Sequence, residues 1–150
     1  MIQRKQSVFL LLAFIASVVC LCLRIGDIEP AGMGVGFKLY NIMLDKGASV
    51  DYSPCGLFGI LLVSSAMSLA TIFLYRNRKL QSNLCLCNVF LLLAWYIVLG
   101  VVTRNVVSAD ANFHIAFAAC LPAVSLVLNF MARAGVIHDE KMVRAADRIR

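Results

Sequence analysis

Four long stretches without a charged residue dominate this sequence and limit the folds available to it. They cover residues 7–23, 55–75, 84–102 and 113–132, and each holds 17 to 21 residues. An α-helix rises about 1.5 Å per residue, so roughly 20 apolar residues cross the roughly 30 Å hydrocarbon core of a bilayer. The pattern predicts an all-α membrane protein with four transmembrane helices, in one domain of residues 1–150.

Composition favours the same class of protein. Hydrophobic residues make up 61% of the chain and charged residues only 15%, which leaves too little polar side chain to cover a water-soluble domain. The first apolar stretch follows Arg4 and Lys5, as the core of a signal peptide would. No small-x-small cleavage motif follows it, and we therefore interpret it as a retained helix.

The distribution of basic residues predicts the orientation in the membrane. The segment before residue 7, the turn at 76–83 and the segment after residue 132 carry ten basic residues together. The two connections on the opposite side, at 24–54 and 103–112, carry four. Because basic residues in short loops stay on the cytoplasmic side, we expect both termini to lie in the cytoplasm.

The connection of residues 24–54 is the largest segment predicted to lie outside the membrane, on the outer side. It contains five of the nine glycines and two of the three prolines of the chain, a composition that argues against a long helix. A short pair of strands and a segment lying on the membrane surface are both compatible with its mixed polar and apolar residues.

The predicted spans contain polar side chains but no charges. Intramembrane charge marks ion-coupled transport and much intramembrane catalysis, so its absence from these stretches weighs against both and predicts no cofactor or metal site. Ser64, Ser68 and Thr71 recur at helical spacing on one face, and Asn88 and Asn129 lie at similar depth. Such residues hydrogen-bond between helices in a bilayer, and we predict that these five pack the helices together.

Six cysteines lie in or at the edges of the predicted spans. A buried cysteine behaves as a small apolar residue, and the spacing of the two "CLC" pairs differs from that of a redox CxxC motif. A thiol enzyme would need two cysteines close together at the outer surface, where Cys55 and Cys22 are the ones available.

The last residues, "HDEKMVRAADRIR", predict a short amphipathic helix on the cytoplasmic side, within a tail of residues 133–150. Met142 and Val143 belong to its apolar face, and Gly135 is the expected hinge from helix four. A helix of about three turns is unstable alone, so it should bind another surface. The basic residues alternate with acidic ones, a pattern that argues against nucleic acid.

We expect this tail to form a docking face with the other cytoplasmic segments, and we expect Asp139 or Glu140 to form an ion pair with the turn at 76–79. The residues of the predicted docking face are Arg4, Arg76, Arg78, Lys79, Gln81, Asp139, Glu140, Arg144, Asp147 and Arg148.

Three stretches carry a family resemblance: "MIQRKQSVFLLLAF", "IFLYRNRKLQSNLCLCN" and "HDEKMVRAADRIR". They resemble the domain-of-unknown-function 4293 family, small four-helix inner-membrane proteins of Bacteroidetes. The resemblance implies a multi-pass protein of the bacterial inner membrane, with signature residues 1–6, 75–81 and 139–150 on the cytoplasmic side. It implies no biochemical activity.

The sequence leads to one main hypothesis and two alternatives. The main hypothesis is a non-enzymatic accessory or scaffold subunit whose partners are the lipid bilayer and an unidentified protein. The first alternative is a small transporter or lipid-handling protein, with a path between helices two and four lined by Ser64, Ser68, Asn129 and His114. The second is a thiol-redox membrane enzyme.

Overall fold

Four α-helices account for most of the structure. The computed structural model describes residues 3–30, 36–47, 49–74, 77–106 and 111–147. The helices are Gln3–Cys22 (α1), Cys55–Phe73 (α2), Arg78–Val106 (α3) and Leu121–Asp147 (α4).

Three helical stretches among the described residues are long and apolar enough to cross a membrane, namely Cys55–Phe73, Lys79–Val106 and Phe117–Val143. The apolar part of α1, Gln6–Cys22, is shorter. Length and composition therefore indicate a membrane protein.

The helices pack around a common interior, which we call the helical body. α1 packs against α2 and α4, and α3 packs against the same two helices. Large apolar side chains also point outward, and Phe73, Phe90, Ile97 and Phe130 are each more than half exposed. An apolar exterior of this extent is unsuited to water and suited to lipid.

A five-stranded antiparallel sheet lies at one end of the helical body. Its strands are Arg24–Pro30 (β1), Phe37–Tyr40 (β2), Leu44–Asp45 (β3), Val50–Asp51 (β4) and Ala111–Ile115 (β5), in the order β4-β3-β2-β1-β5. The first four strands come from the connection between α1 and α2, and β5 comes from the connection between α3 and α4. The sheet thus joins the two connections that the sequence places on one side of the membrane.

One face of the sheet is buried against the helices. Ile28, Leu39 and Leu44 are at most 1% exposed and share a core cluster with Leu61 of α2 and Trp95 of α3. Burying a Leu or Ile side chain stabilises a fold by about 1.5–3 kcal/mol where the alternative is water. The sheet is therefore held to the helical body by apolar packing as well as by the chain itself.

Gly26 allows β5 to pack closely on β1. A Cβ atom at this position would lie 2.7 Å from the ring of Phe113 and 2.8 Å from the carbonyl oxygen of His114. Real Cβ atoms essentially never approach other heavy atoms so closely. The missing side chain of Gly26 is thus what lets the Phe113 ring lie against β1.

The structure corrects the all-α prediction. Residues 24–30 and 111–115, about 80 positions apart in the chain, pair as β1 and β5, and a pairing so distant leaves no local pattern. The predicted fourth span, 113–132, begins inside β5, so His114 lies in a strand and not at the edge of a helix. A 3₁₀ helix, Phe117–Cys120, then leads into α4 at Leu121.

The predicted separate tail helix is also wrong, because α4 continues without interruption through Gly135 to Asp147. We call residues 134–147 the α4 extension. A Cβ at Gly135 would lie 3.1 Å from Cγ of Gln6 in α1. The glycine therefore permits close contact between α1 and α4, where the sequence suggested a hinge.

Candidate functional site

A network of buried polar side chains crosses the interior of the helical body, and Asn88 of α3 lies at its centre. The Asn88 Nδ2 group donates to Ser68 Oγ at 2.7 Å and to Asn129 Oδ1 at 3.1 Å. Asn88 Oδ1 accepts from Ser64 Oγ at 2.6 Å. All four residues are at most 1% exposed. The predicted bond between Asn88 and Asn129 is thus present, and it belongs to a larger network.

The network continues through α4 to α1. Asn129 Nδ2 donates to the carbonyl oxygen of Ser125 at 2.8 Å, and Ser125 Oγ donates to the carbonyl oxygen of Ala13 at 3.0 Å. Ser17 Oγ lies 3.2 Å from Ser125 Oγ. Side-chain hydrogen bonds therefore connect all four helices. Ser17 and Ser125 were missed in the sequence, since single serines in apolar stretches have no distinctive spacing.

This network is suited to holding helices together. Each of its side chains has a described hydrogen-bond partner within the protein, and none of them is charged at neutral pH. Interhelical bonds of this kind contribute about 0.6 kcal/mol on average and up to about 1.7 kcal/mol in a membrane. Several such bonds around one amide also fix which faces of the helices meet.

Thr71 and Gln81 lie apart from the network around Asn88. Thr71 Oγ1 donates within α2, to the carbonyl oxygen of Met67 at 2.6 Å. Gln81 of α3 is only 4% exposed, and its Nε2 lies 3.4 Å from the carbonyl oxygen of Thr71. Gln81 therefore packs against α2 and does not belong to the exposed docking face in which the sequence placed it.

A second buried polar group lies where the sheet contacts the helical body. Asn41, directly after β2, is fully buried, and its Nδ2 donates to the carbonyl oxygen of Cys20 at 2.7 Å. The indole Nε1 of Trp95 donates to Asn41 Oδ1 at 3.1 Å. The main-chain N–H of Phe58 donates to the Asn41 carbonyl oxygen at 3.2 Å. One residue thus joins the sheet to α1, α2 and α3.

The bond to Cys20 has a clear physical cause. Cys20 lies in the last turn of α1, where carbonyl groups have no partner within the helix, and Asn41 supplies one. Sequence reasoning missed this role. The available signal was a single amide inside the otherwise apolar run "LYNIML", which is unusual on an exposed loop.

The opposite end of the helical body is held by a contact between α1 and the α4 extension. Gln6 is 5% exposed, and its Nε2 donates to Asp139 Oδ2. The Gln6 side chain also lies against Gly135, one turn earlier in α4. This contact attaches the first turns of the α4 extension to α1.

Much of the predicted docking face lies outside the described part of the chain. That applies to Arg76 and Arg148 as whole residues and to the side chains of Arg4, Arg78, Arg144 and Asp147. Among the described members, Lys79 is exposed and Asp139 and Glu140 are half-buried. The ion pair expected between the tail and the turn at 76–79 stays a prediction.

The four residues named for a transporter path lie in two different environments in this structure. Ser64, Ser68 and Asn129 are buried and hydrogen-bonded, whereas the His114 side chain is 64% exposed on β5, with its Nε2 3.7 Å from Glu29 Oε2. The six cysteines are all free thiols.

The rim of the sheet opposite β5 is ionic. In the turn that follows β4, the main-chain N–H of Ser53 donates to Asp51 Oδ1 at 3.0 Å, and Lys46 Nζ lies 3.3 Å from Asp51 Oδ2. Both contacts lower the pKa of the Asp51 carboxyl below its ordinary value of 3.8, and the hydrogen bond from Ser53 has the larger effect. No group of three His, Cys, Asp or Glu side chains among the described residues could hold a metal ion.

Comparison with known proteins identifies the family of the chain. A search of curated proteins finds no match to the chain. The family described as "Domain of unknown function (DUF4293)" matches residues 2–149, which is nearly the whole chain. The helices, the sheet and both polar clusters described above all fall within the matched residues. The chain therefore belongs to the DUF4293 family.

Proposed function

We propose that the chain is a multi-pass protein of the bacterial inner membrane, with four transmembrane helices forming a bundle and both termini in the cytoplasm. The apolar outer face of α1 supports counting α1 as a transmembrane helix in addition to the three longer ones. Val8, Leu11, Leu12, Ile15 and Val19 are each 41–51% exposed along α1, and that apolar face suits lipid. The ten-to-four bias of basic residues supports the orientation.

The protein acts in this proposal without catalysis, as an accessory or scaffold subunit that binds a partner at its cytoplasmic face. The observation that carries the proposal is the unbroken course of α4 to Asp147. The bond between Gln6 and Asp139 orients the α4 extension. Lys141, Met142 and Val143 are exposed on this extension. A charged and apolar surface on a supported helix is typical of sites that bind another protein.

The hydrogen-bonded interior of the helical body agrees with this role. Ser64, Ser68, Asn88 and Asn129 use their polar groups on one another. A substrate site would need polar groups that are free to bind a ligand. The same groups give the scaffold a fixed helix arrangement from which the α4 extension projects.

Site-specific photo-crosslinking in native membranes tests the docking role. A photoreactive residue at Met142, which is 59% exposed, should attach to one specific protein. The matched control is Val101, which is 52% exposed on α3 and should attach to lipid. The Lys141→Glu substitution should abolish the protein adduct at Met142, and the captured protein should in turn copurify the native chain. The same adducts from both positions would contradict the proposal.

Reporter fusions test the orientation separately. Alkaline phosphatase inserted at Gly47, an exposed residue between β3 and β4, should be active because it would lie outside the cytoplasm. Green fluorescent protein fused after residue 150 should fluoresce because it would lie inside. The reverse pair of results would overturn the orientation without affecting the fold.

A further inference from the structure

The two edges of the sheet differ in how well they are protected against pairing with another strand. β4 has two residues, and the Lys46–Asp51 ion pair lies beside it. β5 has five residues, "ANFHI", with no lysine, acidic residue or proline. Natural proteins protect edge strands by shortness, charge or proline. In the described part of the chain, β5 is an edge that lacks all three.

The hydrogen bonds of β5 show which of its peptide groups face outward. The main-chain N–H of Ala116 donates to the carbonyl oxygen of Ile25 at 2.8 Å, and the antiparallel register continues with His114 opposite Asp27. Because bonding direction alternates along an antiparallel strand, Phe113 and Ile115 turn their peptide groups away from β1. No described strand pairs with that side of β5.

Large apolar side chains lie next to this open edge. Ile115 is 67% exposed, and Phe117 in the adjoining 3₁₀ helix is 81% exposed, the highest value among the large hydrophobic residues described. Phe117 lies within a stretch that could cross the membrane. The open edge of β5 is thus bordered by exposed apolar side chains.

We propose that β5 pairs antiparallel with β5 of a second copy of this chain in the same membrane. Centring the pair on Phe113 places Asn112 opposite His114 of the second copy, so an amide faces an imidazole on the polar side. Ile115 then lies opposite residue 111 of the second copy. No two like charges oppose each other in this register, so the strand is complementary to itself.

The symmetry of an antiparallel strand pair makes a second copy the fitting partner. Two antiparallel edge strands in one continuous sheet are related by a two-fold axis perpendicular to the sheet, so a strand can pair with the same strand of a second copy. The five residues of β5 include no lysine, arginine, aspartate or glutamate that would repel its counterpart. The contact is isologous, and it closes at two copies.

Single-molecule photobleaching of the full chain in lipid vesicles tests the pairing, over a series of protein-to-lipid ratios. The native chain should dimerise. The Ile115→Lys substitution should raise the dimer dissociation constant at least about tenfold, because it places a charge beside the paired strands. The matched control, Val50→Lys on β4, should leave the constant unchanged. Fluorescence of Trp95, the single tryptophan, checks that both variants are folded.

A photoreactive residue at Asn112 gives a second measurement in a chain that keeps Ile115. Irradiation in the same vesicles should yield a dimer in which Asn112 is joined to the segment around His114 of the second copy. A monomeric native chain, equal dissociation constants for the native chain and Ile115→Lys, or a crosslink to any other segment would each overturn the proposal.

Discussion

The indole nitrogen of Trp95, in α3, lies 3.1 Å from the side-chain oxygen of Asn41, a residue of the connection between α1 and α2, and both residues are fully buried. Asn41 also donates to the carbonyl oxygen of Cys20. A single amide therefore satisfies one donor and one acceptor that belong to two different helices.

Replacing Asn41 with alanine should lower the free energy of unfolding by about 2–5 kcal/mol. The substitution leaves the Trp95 N–H and the Cys20 carbonyl buried without partners, and each unsatisfied group costs about 1–3 kcal/mol. Thermal unfolding in detergent, followed by Trp95 fluorescence, measures the change. Ile42→Ala at the neighbouring exposed position is the control and should have little effect, so equal losses for the two variants would refute the role given to Asn41.

Replacing Asn88 with alanine should destabilise the helical body by about 1–3 kcal/mol, because Ser64, Ser68 and Asn129 each lose a partner. Asn83→Ala, at an exposed position on the same helix, is the matched control and should change stability little. A double-mutant cycle with Asn129→Ala should give a coupling free energy above about 0.5 kcal/mol. Additive effects would show that the two amides do not interact.

Two glycines in helices should respond differently to alanine. At Gly100 a Cβ meets nothing within 4 Å, so Gly100→Ala should stabilise α3 by about 0.5–1 kcal/mol through helix propensity. At Gly135 the Cβ would press on the Gln6 side chain, which is already bonded to Asp139, so the gain should be lost or reversed. Unfolding measurements on both variants test this, and equal gains would contradict the close contact between Gly135 and Gln6.

Alanine at Gly26 should disrupt the pairing of β1 with β5, because the Cβ collides with the Phe113 ring and with main-chain oxygen. Hydrogen exchange at the amides of both strands should accelerate by at least about tenfold, which corresponds to about 1.4 kcal/mol. At Gly36 the nearest atom to a Cβ is 3.6 Å away, so Gly36→Ala should leave exchange unchanged. Unaltered protection in Gly26→Ala would disprove the close approach.

Acidification should weaken the rim of the sheet at Asp51. Its carboxyl has a pKa below the ordinary value of 3.8 in the folded chain, so its ionised form stabilises the fold. That contribution is complete above about pH 3.8 and is lost as the pH falls through the folded-state pKa. Carboxyl-carbon NMR titration should give a higher pKa for Asp51 in Lys46→Met, and an unchanged value would exclude Lys46 as a cause.

The features of this structure that could be predicted from the sequence are those encoded by residues close together in the chain. Charge-free stretches of sufficient length indicated the helices, and matching depth indicated the bond between Asn88 and Asn129. The sheet depends on partners that are far apart in sequence, such as Ile28 and Phe113, and a short strand in a loop has no periodicity long enough to identify it. Asn41 was missed for a related reason, since its acceptor, the Cys20 carbonyl, and its donor, the Trp95 indole, lie on other elements.

The pairing of β1 with β5 also has a consequence for how the chain is made. β1 leaves the ribosome soon after α1, whereas β5 follows only after α2 and α3 have been synthesised. Until then, one side of β1 has exposed peptide groups that the finished sheet covers. The sheet is therefore completed late in biosynthesis, and a chain that stalls before residue 111 presents an open strand edge to the quality-control proteases of the cell.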